Sequence, residues 1–290
     1  MTSSAPVAIL LSLVIALSGA CSTGRTSPAA PPSISAAASQ TAELEFSLIQ
    51  YRSDVATNDI QVKVRNMGDE PVVVTEVRFD SPSFVADAPV DKDARIAPGI
   101  AADLTVPLGE PVCDGTADDV TARVEVTLAG AADSISSDVD PGQLTELHVR
   151  GCQVTAVKSV VALDWPQPWT VVTDPGATPL GVSTLHIAVA AAAPGPVTVG
   201  PIRGTTLFSP ATDQLPVTVA PGQSADPQIA LLAARCDPHA VAEDKVGYLL
   251  PVDVSVAGAD QVVVKVTVDR EDRQPLQDLI DVTCGNPLTD

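Results

Sequence analysis

The amino-acid sequence predicts an all-β protein built from two tandem antiparallel β-sandwich units, each closed by one disulfide. Three observations carry that prediction: a composition suited to pleated sheets, short alternating segments separated by turn residues, and an internal repeat that includes the cysteines.

The chain has 290 residues, 45% of them hydrophobic but only 3% aromatic. Its apolar residues are mostly Val, Ala, Leu and Ile, a β-branched bias that packs well on a pleated surface. Single cores organise roughly 100–150 residues, so this length accommodates two domains.

Residues 60–78 (IQVKVRNMGDEPVVVTEVR) align without a gap on residues 185–203 (LHIAVAAAAPGPVTVGPIR), an offset of 125. Ile60, Val62 and Val64 fall on Leu185, Ile187 and Val189, and Arg78 falls on Arg203. Apolar residues alternate on both sides of a Gly- and Pro-containing turn, so each copy reads as a hairpin, with Gly68 and Gly195 free to adopt positive φ. Further on, Ala97-Pro98-Gly99 and Asp103 match Ala220-Pro221-Gly222 and Asp226 at an offset of 123, as does Cys113-Asp114 on Cys236-Asp237. The unit is therefore duplicated with a two-residue deletion. Other alternating segments are 43–51, 120–128, 144–150, 154–163, 249–256 and 261–268. Around seven strands per copy follow, with no long stretch of helical period, and the expected boundaries are 43–152 and 153–290.

Five cysteines are present: Cys21, Cys113, Cys152, Cys236 and Cys284. Four cysteines allow three connectivities, and the repeat singles out the one that recurs in each copy, Cys113 with Cys152 and Cys236 with Cys284. The absence of any C-x-x-C pair points to structural rather than redox-active bridges.

The phrase VRNMGDEPVVVTEVRF resembles the second hairpin of bacterial immunoglobulin-like cell-surface domains, over some twenty residues per copy. That resemblance makes each sandwich immunoglobulin-like. The run Cys236-Asp237-Pro238-His239-Ala240 is similar to uncharacterised secreted proteins of high-GC Gram-positive bacteria, which implies no activity.

Residues 7–17 (VAILLSLVIAL) are apolar except for Ser12, too short for a spanning helix of about 20 residues and suited to a signal-peptide core. They run into Leu17-Ser18-Gly19-Ala20-Cys21, which resembles the lipobox of bacterial lipoproteins, with Ser18 where that motif usually carries Leu. The resemblance implies cleavage after residue 20, a diacylated Cys21 and attachment to the extracytoplasmic face of the cell membrane through the lipid. The other reading is an ordinary secretory signal cleaved near Ala20. Lipidation resolves cysteine parity, because an exported chain with Cys21 removed retains an even number for disulfides. Residues 21–42 are rich in Ser, Ala and Pro and form a tether that cannot bury a core.

The formal charge of −20 argues against nucleic acid, since phosphate binding relies on Lys and Arg displacing counterions. Enzyme signatures are missing: no G-x-S-x-G, S-x-x-K, H-E-x-x-H or phosphate-cradling Gly-rich loop occurs. A non-catalytic envelope module without cofactor is therefore expected, and a ligand or metal carrier is the alternative.

Calcium is weighed at Asp114, Asp118 and Asp119 and at Asp237, Glu243 and Asp244, where no dedicated loop pattern exists. The simpler reading makes Asp114 and Asp237 helix caps, with Pro238 at the first helical position. Asp91 and Asp93 read as a solvated loop tip. His148, His186 and His239 are scattered, so copper or another transition metal is a remote option. Trp165 and Trp169, in ALDWPQPWTVV, either plug the end of the second sandwich or recognise an envelope protein or glycan.

Overall fold

The computed structural model describes residues 42–114 and 120–285. In the first copy the strands are β1 (Leu44–Ile49), β2 (Asp59–Asn66), β3 (Val72–Asp80), β4 (Val90–Ile96), β5 (Ala101–Pro107), β6 (Ala122–Leu128) and β7 (Ile135–Val139), followed by helix α1 (Gln143–Lys158). They form two antiparallel sheets in the orders β1-β2-β5 and β4-β3-β6-β7. Alternation is what builds the core: Ile60, Val62 and Val64 of β2 and Leu104 and Val106 of β5 meet Val74, Val77 and Phe79 of β3 and Val124 and Val126 of β6.

The second copy contains β8 (Val161–Asp164), β9 (Thr170–Val172), β10 (Leu180–Thr184), β11 (His186–Val189), β12 (Val197–Ile202), β13 (Phe208–Pro210), β14 (Val217–Val219), β15 (Ser224–Ala225) and β16 (Gln228–Ala233). Helix α2 (Pro238–Glu243), β17 (Leu249–Val256), β18 (Val262–Thr267) and helix α3 (Arg273–Cys284) complete it. The sheet β14-β12-β17-β18 repeats β4-β3-β6-β7, and the opposite sheet is divided into β15-β11-β8 and β13-β16-β10-β9. The fold is thus an all-β, antiparallel sandwich type with two disulfides, Cys113–Cys152 and Cys236–Cys284.

The division has a local cause. Leu185 donates its N–H to the Pro227 carbonyl at 3.0 Å, but Pro227 has no N–H to return, and the ladder lapses there. In the first copy the matching pair is Val62 and Leu104, and β2 and β5 run unbroken.

Three sequence expectations are corrected. The segments around Asn66 and Ala193 are not hairpins: β2 and β3, like β11 and β12, belong to opposite sheets, so each connection arches across the sandwich. Alternation cannot separate these cases, because both arms show apolar residues to one core. Second, residues 144–150 and 154–158 lie in helix α1, not in strands. Leu144, Leu147 and His148, repeated as Leu276, Leu279 and Ile280 of α3, carry helical spacing, and Leu276, Leu279 and Ile280 are at most 2% exposed. Third, Asp91 and Asp93 sit on edge strand β4, facing solvent, rather than on a loop tip; charged edges of this kind discourage strand addition.

The register adds a second two-residue difference between the copies. Asn66 donates to Ile100 O and accepts from Gly99 N, and Val189 makes the same pair of bonds with Gln223 and Gly222. Asn66 therefore corresponds to Val189, an offset of 123, whereas the pairs Val72–Ile96 and Val197–Val219 keep β3 on β12 at an offset of 125, so the second copy is two residues longer in the β2–β3 arch and two residues shorter between β3 and β4. A shift of two keeps every side chain on its own face, so the pattern alone could not reveal it. The positive-φ glycines of the repeat are Gly99 (72°) and Gly222 (74°) in the Ala-Pro-Gly turns, not Gly68 and Gly195. Gly195 answers instead to close approach, since a Cβ there would stand 2.8 Å from Ala257 Cβ.

Helix α1 serves both copies: Leu144 is buried in the first core and Val157 in the second. Position 152, an expected boundary, lies inside this helix, and the described residues group as one compact unit.

Candidate functional site

Strand β8 pairs with β11 up to Asp164–His186, and β9 resumes on β10 at Thr170–Val182. The five residues Trp165 to Trp169 thus stand opposite the three residues Ser183 to Leu185. Pro166 and Pro168 have no N–H for a ladder, so the edge strand leaves the sheet as a bulge. Ser183 Oγ ties it back by donating to the Gln167 carbonyl at 2.8 Å.

The bulge orients the two tryptophans differently. Trp169 is 1% exposed and belongs to the core, so it plugs the sandwich and presents no surface to a partner. Trp165 is half-buried, with its ring centroid 4.9 Å from that of Trp169. Both indole Nε1 atoms are buried without an acceptor, so the loop is held at a cost of roughly 1–3 kcal/mol for each such donor.

Trp165 lines a groove of about 470 Å³ between the edge strands β8 and β18, together with Lys158, Asp164, Lys265, Asp269 and Asp272. Lys158 and Lys265 also line a second groove of about 320 Å³ that runs past Arg150 and Val154 of α1. The two lysines thus line both grooves, which are together termed the furrow. Among the described residues neither has an ion-pair partner, whereas Arg150 pairs with Glu146. Desolvation, and then the positive charge of Arg150, holds the Lys265 ammonium below its ordinary pKa. The furrow combines an aromatic ring, two lysines and three carboxylates. Its volume is in the ordinary range for ligand sites.

The remaining predicted residues are dispersed. Cys113–Cys152 and Cys236–Cys284 are bonded with Cα atoms 5.5 and 5.3 Å apart. Cys21, Asp118 and Asp119 lie outside the described residues. Asp237 caps α2 by accepting from His239 N at 3.0 Å, with Pro238 opening the helix. Asp244 accepts from the Val246 and Gly247 amides. Asp114 is exposed.

His148 is buried against Phe84 and donates Nε2–H to the Val112 carbonyl at 2.8 Å. His186 Nδ1 lies 2.7 Å from Asp226 Oδ1, and this bond, reinforced by the charges of Asp226 and Asp164, raises its pKa above the usual 6.5 despite some desolvation. His239 is exposed in the first turn of α2. Among the described residues no group of three or more His, Cys, Asp or Glu side chains is placed to hold a metal ion.

Lys158, Lys265, Asp269 and Asp272 were not legible as site residues. They come from α1, β18 and the segment before α3, and only the meeting of two sheet edges assembles them beside Trp165.

No protein-family model and no curated protein matches the chain. Among solved structures, red sea bream transglutaminase aligns with a TM-score of 0.24 at 10% identity, covering 78% of this chain and 31% of its own. The chain thus spans about a third of that enzyme. A chaperone–tip adhesion subunit pre-assembly complex, CsuC–CsuE, from archaic chaperone-usher Csu pili of Acinetobacter baumannii aligns at 0.18, with 11% identity over 72% of this chain and 91% of that one. A Porphyromonas gingivalis W83 protein of unknown function aligns at 0.17, with 14% identity over 72% and 90%. At these scores the similarities carry no argument about function.

Proposed function

We propose that the chain is a non-catalytic cell-envelope lipoprotein, exported, anchored by an acylated Cys21 on the outer face of the membrane, and carrying two immunoglobulin-like sandwich units as a binding module. One observation carries this reading: the other four cysteines are consumed in two bridges, one within each copy, which leaves Cys21 as the single thiol, inside a lipobox-like segment. Bridges of this kind persist in oxidising compartments. The tether of residues 21–42 would hold the module off the bilayer.

The furrow beside Trp165 supports binding over a purely spacing role. Its charged groups Lys158, Asp164, Lys265 and Asp269 are exposed, which favours recognition of a polar ligand over chemistry in a dry cleft. The partner is an envelope protein or glycan, and nucleic acid is disfavoured by the charge of −20.

Replacing Cys21 with Ala in the native host tests the anchor. The variant is expected in the medium and the parent in the membrane fraction; continued membrane retention of the variant would refute lipidation.

A further inference from the structure

We propose that the Cys113–Cys152 bridge is a thiol-exchange site, at which a small thiolate attacks Cys113, Cys152 leaves as a thiolate, and His148 stabilises the leaving sulfur. The inference goes beyond the binding-module reading and does not depend on it.

The bridge is open from one side. Cys113 is exposed, whereas Cys152 lies half-buried on α1. Exchange proceeds along the S–S axis, so attack at Cys113 expels Cys152. Cys113 Sγ also faces the Pro111 carbonyl at 3.5 Å, which disfavours negative charge on that sulfur. The second bridge has a similar asymmetry, with Cys236 exposed and Cys284 half-buried. Access alone therefore does not separate the copies; what stands behind the leaving sulfur does.

His148 precedes Cys152 by one helical turn, is 4% exposed and places Nε2 3.6 Å from Cys152 Sγ. The same Nε2–H donates to the Val112 carbonyl at 2.8 Å, and Val112 is pinned in turn by its N–H on Ser83 O at 2.9 Å. Phe84 meets the imidazole edge-on, with centroids 5.8 Å apart. One N–H thus stands between a carbonyl and a sulfur. While the bridge is closed the sulfur is neutral and the carbonyl takes the bond. Once Cys152 leaves, its thiolate is the stronger acceptor, because a charged partner roughly doubles a hydrogen bond. No proton has to be transferred. His148 Nδ1 is buried without a partner, a polar atom in an apolar pocket that packing alone does not explain.

The second copy shows that the fold does not require this histidine. Aligned on the cysteines, His148 corresponds to Ile280, a residue of the second core. Cys284 Sγ faces the Arg235 carbonyl at 3.7 Å, an acceptor that opposes a developing thiolate.

Each step breaks one S–S bond and forms another. The first thiolate gives a mixed disulfide on Cys113 and a thiolate on Cys152. A second thiolate attacks the small-molecule sulfur of that mixed disulfide, releasing Cys113 as a thiolate and a small-molecule disulfide. Two thiols thereby pass two electrons to the bridge.

The test uses the oxidised full chain carrying Cys21→Ser, so that no internal thiol competes, exposed to excess glutathione at mildly alkaline pH. Aliquots are acid-quenched and alkylated, and the state of each cysteine is read by peptide mass spectrometry. Cys113–Cys152 should open at least about tenfold faster than Cys236–Cys284, with the glutathione adduct on Cys113. His148→Ile should bring the first bridge close to the rate of the second, and His148→Gln, whose amide still donates, should keep part of the advantage. A variant that merely loosened the first sandwich would open its bridge faster, the opposite of the expected change. Similar rates for the two bridges in the parent, an adduct on Cys152, or a His148→Ile rate that is unchanged or raised would overturn the proposal. The comparison within the parent needs no variant, so it decides the case even if His148→Ile does not fold.

Discussion

The two copies place a charged pair at the same point of the same sheet. In the first, Lys63 of β2 meets Asp103 of β5 at 3.3 Å; in the second, His186 of β11 meets Asp226 at 2.7 Å. The offset of 123 read from the hydrogen-bond register superimposes both partners. One pair is built on a lysine and the other on a histidine, whose pKa folding raises above the usual 6.5. The same sheet is continuous in the first copy and interrupted in the second, where Pro227 silences one ladder donor and the Trp165–Trp169 bulge detaches the edge strand. Duplication thus preserved a scaffold while one copy gave up regular pairing, and the irregular copy is the one that carries the aromatic end of the furrow.

Removing the disulfides should produce the largest effects. Cys113→Ala with Cys152→Ala, and Cys236→Ala with Cys284→Ala, close loops of similar length (sequence separations 39 and 48), so chain entropy predicts losses of about 4 kcal/mol each. Urea unfolding followed separately for the two variants checks this. A much smaller loss in one copy would mean that its bridge merely decorates a core already closed by other contacts.

The C-terminal helices differ next. Aligned on their cysteines, Leu147 of α1 corresponds to Leu279 of α3, but Leu147 is half-buried and Leu279 has no exposure. Leu279→Ala should cost about 3 kcal/mol and Leu147→Ala about 1 kcal/mol. Equal losses in thermal or urea unfolding would contradict the different burial of the two helices, α3 with Leu276, Leu279 and Ile280 in the second core and α1 shared by two cores.

Arg78 and Arg203 occupy matching strands with unlike partners. Arg203 stands 2.7 Å from Asp253, whose side chain is only 10% exposed, whereas Arg78 is 3.9 Å from the half-exposed Asp80. Arg203→Ala should destabilise by about 2 kcal/mol, because it strands a desolvated carboxylate, and Arg78→Ala by less than about 1 kcal/mol. Calorimetry near neutral pH distinguishes the two.

The charged pairs themselves give the smallest difference and the one with a characteristic pH dependence. Because folding raises the pKa of His186, its contribution is fully present below about pH 6.5 and fades as pH rises through the folded value. His186→Gln should therefore lower the melting temperature at pH 5.5–6 and leave it nearly unchanged at pH 8.5, by this linkage, roughly. Lys63→Gln should show no such dependence across that window, as Lys63 is raised from an already alkaline value by Tyr51 and Asp103. A His186→Gln loss that persists at alkaline pH would reassign the pair to packing.

Several features were legible without coordinates because they depend on local chemistry or on repetition. Val-rich alternation announced sheets, the repeat selected the disulfide pairing, and Asp237-Pro238 announced a capped helix. The terminal helices carried a usable signal as well, since Leu144, Leu147 and His148 repeat the helical spacing of Leu276, Leu279 and Ile280. Short apolar spacings suit either period, so residues 144–150 also read as an alternating strand although they are helical.

The amino-acid sequence by itself determined the sheet-forming composition, the duplicated unit and its bridges, because each follows from neighbouring residues or from comparing the chain with itself. Only the tertiary structure decided which strands pair, that β2 and β3 arch across the core, that α1 contributes to both cores, and that Lys158 and Lys265 lie beside Trp165. Those outcomes depend on which edges of two sheets come to face each other, and an alternating pattern specifies the buried face of a strand but not its neighbour.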